Sequence, residues 1–396
     1  MLSVLKGIRI LDLSRFQACP ICGMILGDLG AEVIRVEEPE GAPDRTWGQC
    51  GPDGETLLYK VVGRNKKCIT LSLGAPEGRK LFYELVKLSD VVLHNYTQGS
   101  PQADYLTYEK LRGVKESIIV VALSGYGQYG PDAQKPCFDG VAQARGGSMV
   151  LNGFSDEPPI KTGIPYIDVS AGLFATIAVL AALYHRDKKG EGQAIDVSLF
   201  DTATFITQSV GTLLLYELSG EVRKNIGNRG FHSYNTCQKA KDGWVVLSVA
   251  TNSIWRRFAK LIGRPDMAED PRLSDDTKRF HNAYLIDEVV SSWVAARTVE
   301  EVTSACEKAR VPCGPLQTVD KLLTDVQVLA REMVVPIDYP QIGRVHVPGI
   351  PFKLSRTPGK IRTPSPALGE HNEEVYGGLL HLSGEEILQL KAKKII

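Results

Sequence analysis

The feature that most restricts this chain is a strand–helix–strand unit within Leu5–Val36. Leu5–Leu13 reads as an apolar strand, Pro20–Leu29 as a helix stopped by Gly30, and Ala31–Val36 as a second strand. Strands joined through a helix lie parallel, and their crossover is right-handed. The pattern then repeats. KKCITLSL, from Lys66, is a strand; PEGRKLFYELVKLS, from Pro76, is a helix with proline in its first turn; DVVLHNY, from Asp90, is a strand. YEKLRGV, from Tyr108, is helical and leads into the apolar strand SIIVVALSGYG, from Ser117. Near-continuous apolar strands alternating with helices predict a doubly wound, Rossmann-like α/β sheet, buried on both faces. No G-x-G-x-x-G follows the first strand, so the topology carries no dinucleotide signature.

At 396 residues the chain suits two domains. The texture shifts near Asn225, where GWVVLSVA reads as a strand and IWRRFAKLI, YLIDEVVSSWVAA and VEEVTSACEKA as amphipathic helices. These residues predict a small α+β domain over 225–325. A large α/β domain is then built from 1–224 and 326–396. Near the end, LSGEEILQLKAKK is a helix with Ser383 as N-cap and Glu386 closing a capping box. Ala171–His185 holds no charge but is shorter than a bilayer span, and reads as a buried central helix. With no run of 18 apolar residues and no signal-peptide pattern, the expected location is the cytoplasm.

Lys+Arg and Asp+Glu are equal, 46 against 46, so no global field draws nucleic acid or an anionic membrane, and any anion is met by a local cluster. The basic group nearest that description is Arg64, Lys66 and Lys67 in GRNKKC, which reads equally as a solvated loop. Eight scattered cysteines do not form a disulfide framework. Cys19 and Cys22 have redox or zinc spacing, yet no second pair supplies the remaining zinc ligands. They lie where a strand turns into a helix, and small buried thiols pack well there. Asp168 lies just before the charge-free helix, where a carboxylate either caps the first N–H groups or stands as an anionic nucleophile at the positive helix end. The two roles are compatible, and the local pattern does not choose between them.

Taken together, GDLGAEVIRVEEPEGAPDRTWG, GRNKKCITLSL, SGYGQYGP, FDGVAQARGGSM, the D-x-x-x-G of Asp168–Gly172, AALYHRDKKGEGQAIDVSL, VPCGPL and LGEHNEEV recur in one order nearly end to end. In this the chain resembles the class III CoA-transferases, the group of formyl-CoA transferase, L-carnitine CoA-transferase and α-methylacyl-CoA racemase. The resemblance implies that Asp168 is the nucleophile, passing through an aspartyl anhydride and an aspartyl-CoA thioester. It implies no tightly bound cofactor, with coenzyme A and acyl-CoA as substrates. Gln17, in the loop after the first strand, matches a position able to donate to an anionic intermediate. Asp139 matches an acidic position that orients the nucleophile. For coenzyme A it implies Arg64, Asn65, Lys66, Lys67, Asn95, Tyr96, Tyr126 and Lys135.

Phe138 stands where the racemase branch has a proton-transferring histidine, which favours transfer over racemisation. Racemisation and a non-catalytic subunit role are the alternatives. The sequence departs from formyl-CoA transferases at Glu38, in lacking an arginine after Asn95–Tyr96, and in having separated glycines, Gly227 and Gly230, instead of a glycine run. Asn228, Arg229 and His232 are therefore the candidates for shielding an intermediate, and His371 is expected to cap or pack near the C-terminal region. The family resemblance also implies an interlocked homodimer, with pairing to a homologous subunit as a variant.

Overall fold

The computed structural model describes residues 3–155 and 157–396. The chain divides into two compact units, one comprising 1–148, 161–221 and 326–396, the other 149–160 and 222–325. The segment 149–160, which the sequence reading left with the large domain, groups with the second unit.

The first unit carries six parallel strands: β1 (Arg9–Asp12), β2 (Glu32–Glu37), β3 (Lys66–Thr70), β4 (Val91–His94), β5 (Ile119–Ser124) and β6 (Ala194–Ser198). Their order is β3-β2-β1-β4-β5-β6, so the winding direction reverses between β1 and β4. Successive side chains of a strand face opposite ways. Ile10, Val33, Leu93 and Val121 accordingly enter one core and Leu11, Ile34, Val92 and Val120 the other. Burial on both faces is why β4 and β5 read as apolar runs, whereas β6, at the sheet edge, is partly exposed.

The first core is covered by α1 (Ala18–Asp28) and a long helix from Tyr166 to Lys189. The second core is covered by α2 (Pro76–Lys87) and the last helix, Gly384–Ala392. That last helix has the expected box, with Ser383 N–H donating to the Glu386 carboxylate at 2.8 Å and Glu386 N–H donating to Ser383 Oγ. Between β5 and β6 run α3 (Asp139–Arg145) and α4 (Tyr166–Lys189). The structure corrects the bounds of this central helix. Asp168 is its third residue rather than a residue before it, and its 24 residues are long and apolar enough to cross a membrane by length and composition. Charge-free residues are only its middle; Arg186, Lys188 and Lys189 complement the negative helix end, and Gly190 closes it at φ +78. It is also not buried all round. Ala171, Gly172, Ala175, Thr176 and Val179 are buried, while Leu173, Ile177, Leu180 and Tyr184 are exposed.

The second unit has three antiparallel strands, β7 (Tyr234–Lys239), β8 (Trp244–Val249) and β9 (Cys313–Pro315), in that order. Trp255, Phe258, Ile286, Val290 and Val302, from three amphipathic helices, pack on them.

Candidate active site

In an open parallel sheet, loops leaving adjacent strands part where the winding reverses, and the crevice at the strand C-termini holds the ligand. Here the reversal lies between β1 and β4. The loop after β1 (13–17) and the loop after β4 (95–97) are tied across it. Arg15 N–H donates to Asn95 Oδ1 at 2.9 Å, and the Asn95 amide donates back to the Arg15 carbonyl at 2.7 Å. Between these loops is a cleft of about 350 Å³, and Arg15, Gln17, Asn95, Tyr96, Phe138 and Asp168 line it.

Asp168 reaches the cleft because α4 packs closely on α1. Gly172 is one turn along the same helix face; a Cβ there would lie 2.5 Å from the Ala18 carbonyl oxygen and 2.9 Å from Ile21. Glycine therefore lets the start of α1, with Gln17 before it, approach the start of α4. The thiol of Cys22 is fully buried in α1, as is that of Cys19, which points to the His94 carbonyl. Burial pushes both thiols up, Cys22 to about 12. Such thiols are packing groups, poor nucleophiles at neutral pH.

The cap of α4 comes from elsewhere in the chain. Pro165 precedes the helix and supplies no side-chain acceptor. The buried Asp139 carboxylate accepts from Ile167 N–H at 2.9 Å and Asp168 N–H at 3.2 Å. Asp139 is itself held by the Gln143 amide at 2.5 Å, and Gln143 accepts from Thr162 N–H. The capping role considered for Asp168 thus belongs to Asp139. The Asp168 carboxylate is left without a hydrogen-bond donor among the described residues. Burial, with the negative charge of Asp139 as the second cause, raises its pKa to about 7. A carboxylate so placed is an under-solvated anion, more reactive toward a carbonyl than one in water.

Gln17 is the N-cap residue of α1, and its side chain does not cap the helix. The first N–H groups of a helix have no intrahelical acceptor, so Gln17 and this helix end together present donors to the cleft. Arg15 was missed in the sequence. Its guanidinium donates to the Tyr96 hydroxyl at 2.9 Å, lies 4.7 Å from that ring's centre, and makes no ion pair among the described residues. No sequence signal marks it, because pairing depends on the fold.

The structure places the residues of the expected phosphate cluster in ion pairs away from this cleft. Arg64 is buried against Asp28 at 2.6 Å and Lys66 against Asp12 at 2.8 Å. Lys67 pairs with Glu32 and Glu374, and Asn65 donates to Asp28 and the Lys360 carbonyl. Lys66 and Lys67 begin β3, and with Asn65 they line a different cleft with Ser3, Arg362 and His371. Their charges are spent on structure. Lys135 is exposed and paired with Asp132 at 2.6 Å, and Tyr126 stacks with Arg145 and Phe200; neither lines the Asp168 cleft. Arg229 pairs with Asp287 inside the second unit, and His371 Nδ1 accepts from Cys68 N–H at 3.2 Å.

A family model described as CoA-transferase family III matches residues 5–372. Succinyl-CoA--D-citramalate CoA-transferase of Chloroflexus aurantiacus is 34% identical over 395 residues, covering 99% of this chain and 98% of that protein. Formyl-CoA:oxalate CoA-transferase of Streptomyces avermitilis is 32% identical over 413 residues, covering 100% of both. Succinyl-CoA:glutarate CoA-transferase of Homo sapiens is 31% identical over 397 residues, covering 99% and 90%. Among solved structures, a CAIB/BAIF family protein from Brucella suis matches with a TM-score of 0.83 at 31% identity, covering 95% of this chain and 99% of that one.

Proposed function

Since this chain belongs to CoA-transferase family III and is a CoA-transferase working between an acyl-CoA and an acid, we propose that Asp168 carries the exchange covalently. The carboxylate attacks the donor thioester carbonyl, giving an acyl-aspartyl anhydride and coenzyme A thiolate. The thiolate attacks the aspartyl carbonyl, giving aspartyl-CoA and the donor acid. The acceptor carboxylate attacks that thioester and releases the thiolate, which then takes the acyl group and frees Asp168. Each step exchanges one activated carbonyl for another, so the acyl-transfer potential is retained. Gln17 and the start of α1 stabilise the oxyanions, and Asp139 positions Asp168 through the helix cap.

The observation that carries this reading is a half-buried carboxylate in the switch-point cleft with no hydrogen-bond donor among the described residues, its pKa raised to about 7 by burial. In place of the 64–67 cluster, we assign the phosphate contact of coenzyme A to Arg15, beside Asn95 and Tyr96. The acids are small dicarboxylates with a succinyl donor, after the relatives named for citramalate and glutarate. Phe138 in place of a proton-transferring group disfavours racemisation. The reading also includes a cytoplasmic homodimer, supported by the exposed stripe of Leu173, Ile177, Leu180 and Tyr184 on α4.

The test is to mix the protein with succinyl-CoA, quench with hydroxylamine, and map the hydroxamate by mass spectrometry. Label is expected on Asp168, and Asp168→Asn is expected to lose at least about 1,000-fold in kcat, the scale of losing a covalent nucleophile. Full activity in Asp168→Asn excludes the mechanism.

A further inference from the structure

The two cysteines spaced like a redox pair, Cys19 and Cys22, are sealed in the core, while a pair with no motif between them is brought together by the fold. Cys306 lies in the last turn of α5 (Val299–Lys308) in the second unit, and Cys313 opens β9. The chain between them turns back in a fixed way. Arg310 stands at φ +53, its N–H donating to the Glu307 carbonyl at 2.9 Å, and Val311 N–H donates to the Cys306 carbonyl at 2.8 Å. These paired bonds close a helix at a left-handed residue. Arg257 clamps the same turn, donating to the carbonyls of Ala309 at 3.0 Å and Arg310 at 2.8 Å. Just beyond, Ser248 N–H donates to the Pro312 carbonyl at 3.1 Å, and Cys313 is set opposite Leu247 in the sheet. A side chain other than glycine at positive φ persists where its surroundings over-determine it, as they do here. The result is that the thiols of Cys306 and Cys313 meet and share a hydrogen bond.

The two thiols are not equivalent. Cys306 is fully buried, whereas Cys313 is half-buried on a three-residue strand at the edge of its sheet. The hydrogen bond from Cys306 holds the Cys313 thiol below the usual thiol range. Cys306, as the donor and through its burial, is pushed up. Burial pushes Cys19, Cys22, Cys68, Cys137 and Cys237 the same way as Cys306. The thiolate is the form that attacks, so within the pair Cys313 is the nucleophile and Cys306 stands ready to resolve it.

We infer that Cys306 and Cys313 form an oxidation site, a dithiol that a hydroperoxide closes to a disulfide and a thiol reductant reopens. The Cys313 thiolate attacks one peroxide oxygen; the O–O bond breaks, and the departing hydroxide takes up the proton Cys313 had given, leaving as water. Cys313 is then a sulfenic acid. The Cys306 sulfur attacks the Cys313 sulfur, the S–O bond breaks, and a second water leaves with the Cys306 proton. Two thiols lose two electrons and the peroxide gains them. The new bond ties the end of α5 to β9 across a turn already in place, so it restricts the unfolded chain more than it disturbs the fold.

The experiment uses the full chain, reduced, freed of reductant and treated with an equivalent of hydrogen peroxide at neutral pH. Remaining thiols are alkylated under denaturant and the protein is digested with trypsin. Lys308 and Arg310 lie between the two cysteines, so the expected product is two peptides held together by the disulfide and lighter by two hydrogens. Of the eight thiols, two are expected to be lost and to return with dithiothreitol, and Tm is expected to be higher in the oxidised form. Cys306→Ala is expected to stop at a sulfenic acid on Cys313, which dimedone traps. Cys313→Ser, at the half-buried position, is expected to leave Cys306 reduced under the same treatment.

Peroxide that oxidises Cys50 or joins Cys19 to Cys22 while Cys306 and Cys313 stay free overturns the inference. So does a Cys313→Ser protein whose Cys306 is oxidised as readily as in the native chain, or a disulfide that forms only with a fall in Tm. Should Cys306→Ala fail to fold, the native digest and Cys313→Ser decide the matter alone.

Discussion

At the scale of single residues, Asp168 and Asp139 explain each other. One carboxylate accepts from two helix N–H donors, and the other, in the first turn of that helix, receives none among the described residues. The nucleophile must be ionised, so kcat/KM is expected to rise with pH through about 7. Asp139→Asn keeps an oxygen for the cap but removes the repelling charge, and the inflection is expected to move to lower pH. An unchanged inflection in a pH–rate profile removes Asp139 from this account. The same shift bears on stability. A raised folded pKa means that the ionised form is disfavoured in the fold; the cost is absent below about pH 4 and complete above about 7. Asp168→Asn lacks that cost. By chemical denaturation it is expected to match the native protein near pH 4 and exceed it by roughly 2 kcal/mol at pH 8, after allowance for partial solvation. Sequence reasoning found both aspartates but not their division of labour, because the cap spans 28 residues between Asp139 and Ile167. The pairing of the cationic cluster was hidden from the sequence for a related reason. Arg64 and Lys66 look like any surface cations until Asp28 and Asp12, 36 and 54 residues away, are folded against them.

At the scale of elements, the catalytic geometry depends on how closely α1 and α4 pack. Gly172→Ala raises intrinsic helix propensity by about 1 kcal/mol. Its new methyl would meet the Ala18 backbone at 2.5 Å, which a rigid helix start does not accommodate. The net expectation is a loss of about 1–3 kcal/mol in urea denaturation and a fall in kcat, as the Gln17 end of α1 is pushed off Asp168. A variant as stable and as active as the native protein counts against close helix packing as the positioning device. The elements themselves were largely legible. The inner strands of the large sheet announced themselves because both faces are buried, and the last helix because its cap is encoded within four consecutive residues, Ser383–Glu386. The ends of α4 were not. Charges that looked like its boundary are favourable in its last turn, and its first turn is stabilised by a residue from another helix.

At the scale of the whole molecule, α4 has two faces with different fates. One packs on α1 and sets the site. The other shows Leu173, Ile177, Leu180 and Tyr184 at spacings of four, three and four residues, an apolar stripe of the kind that one helix offers another. Ile177 is 61% exposed, so Ile177→Asp is expected to leave the folding of the chain intact while converting dimer to monomer in light scattering. A dimer that survives this change assigns the stripe to some other use. The sequence showed the apolar residues but not their two sides, since a segment with no charge gives no polar face to read. In the proposed homodimer, one rod serves as the seat of the reacting group and as the meeting place of two copies. Rates measured at great dilution will then report how many molecules have found a mate as well as how fast each one works.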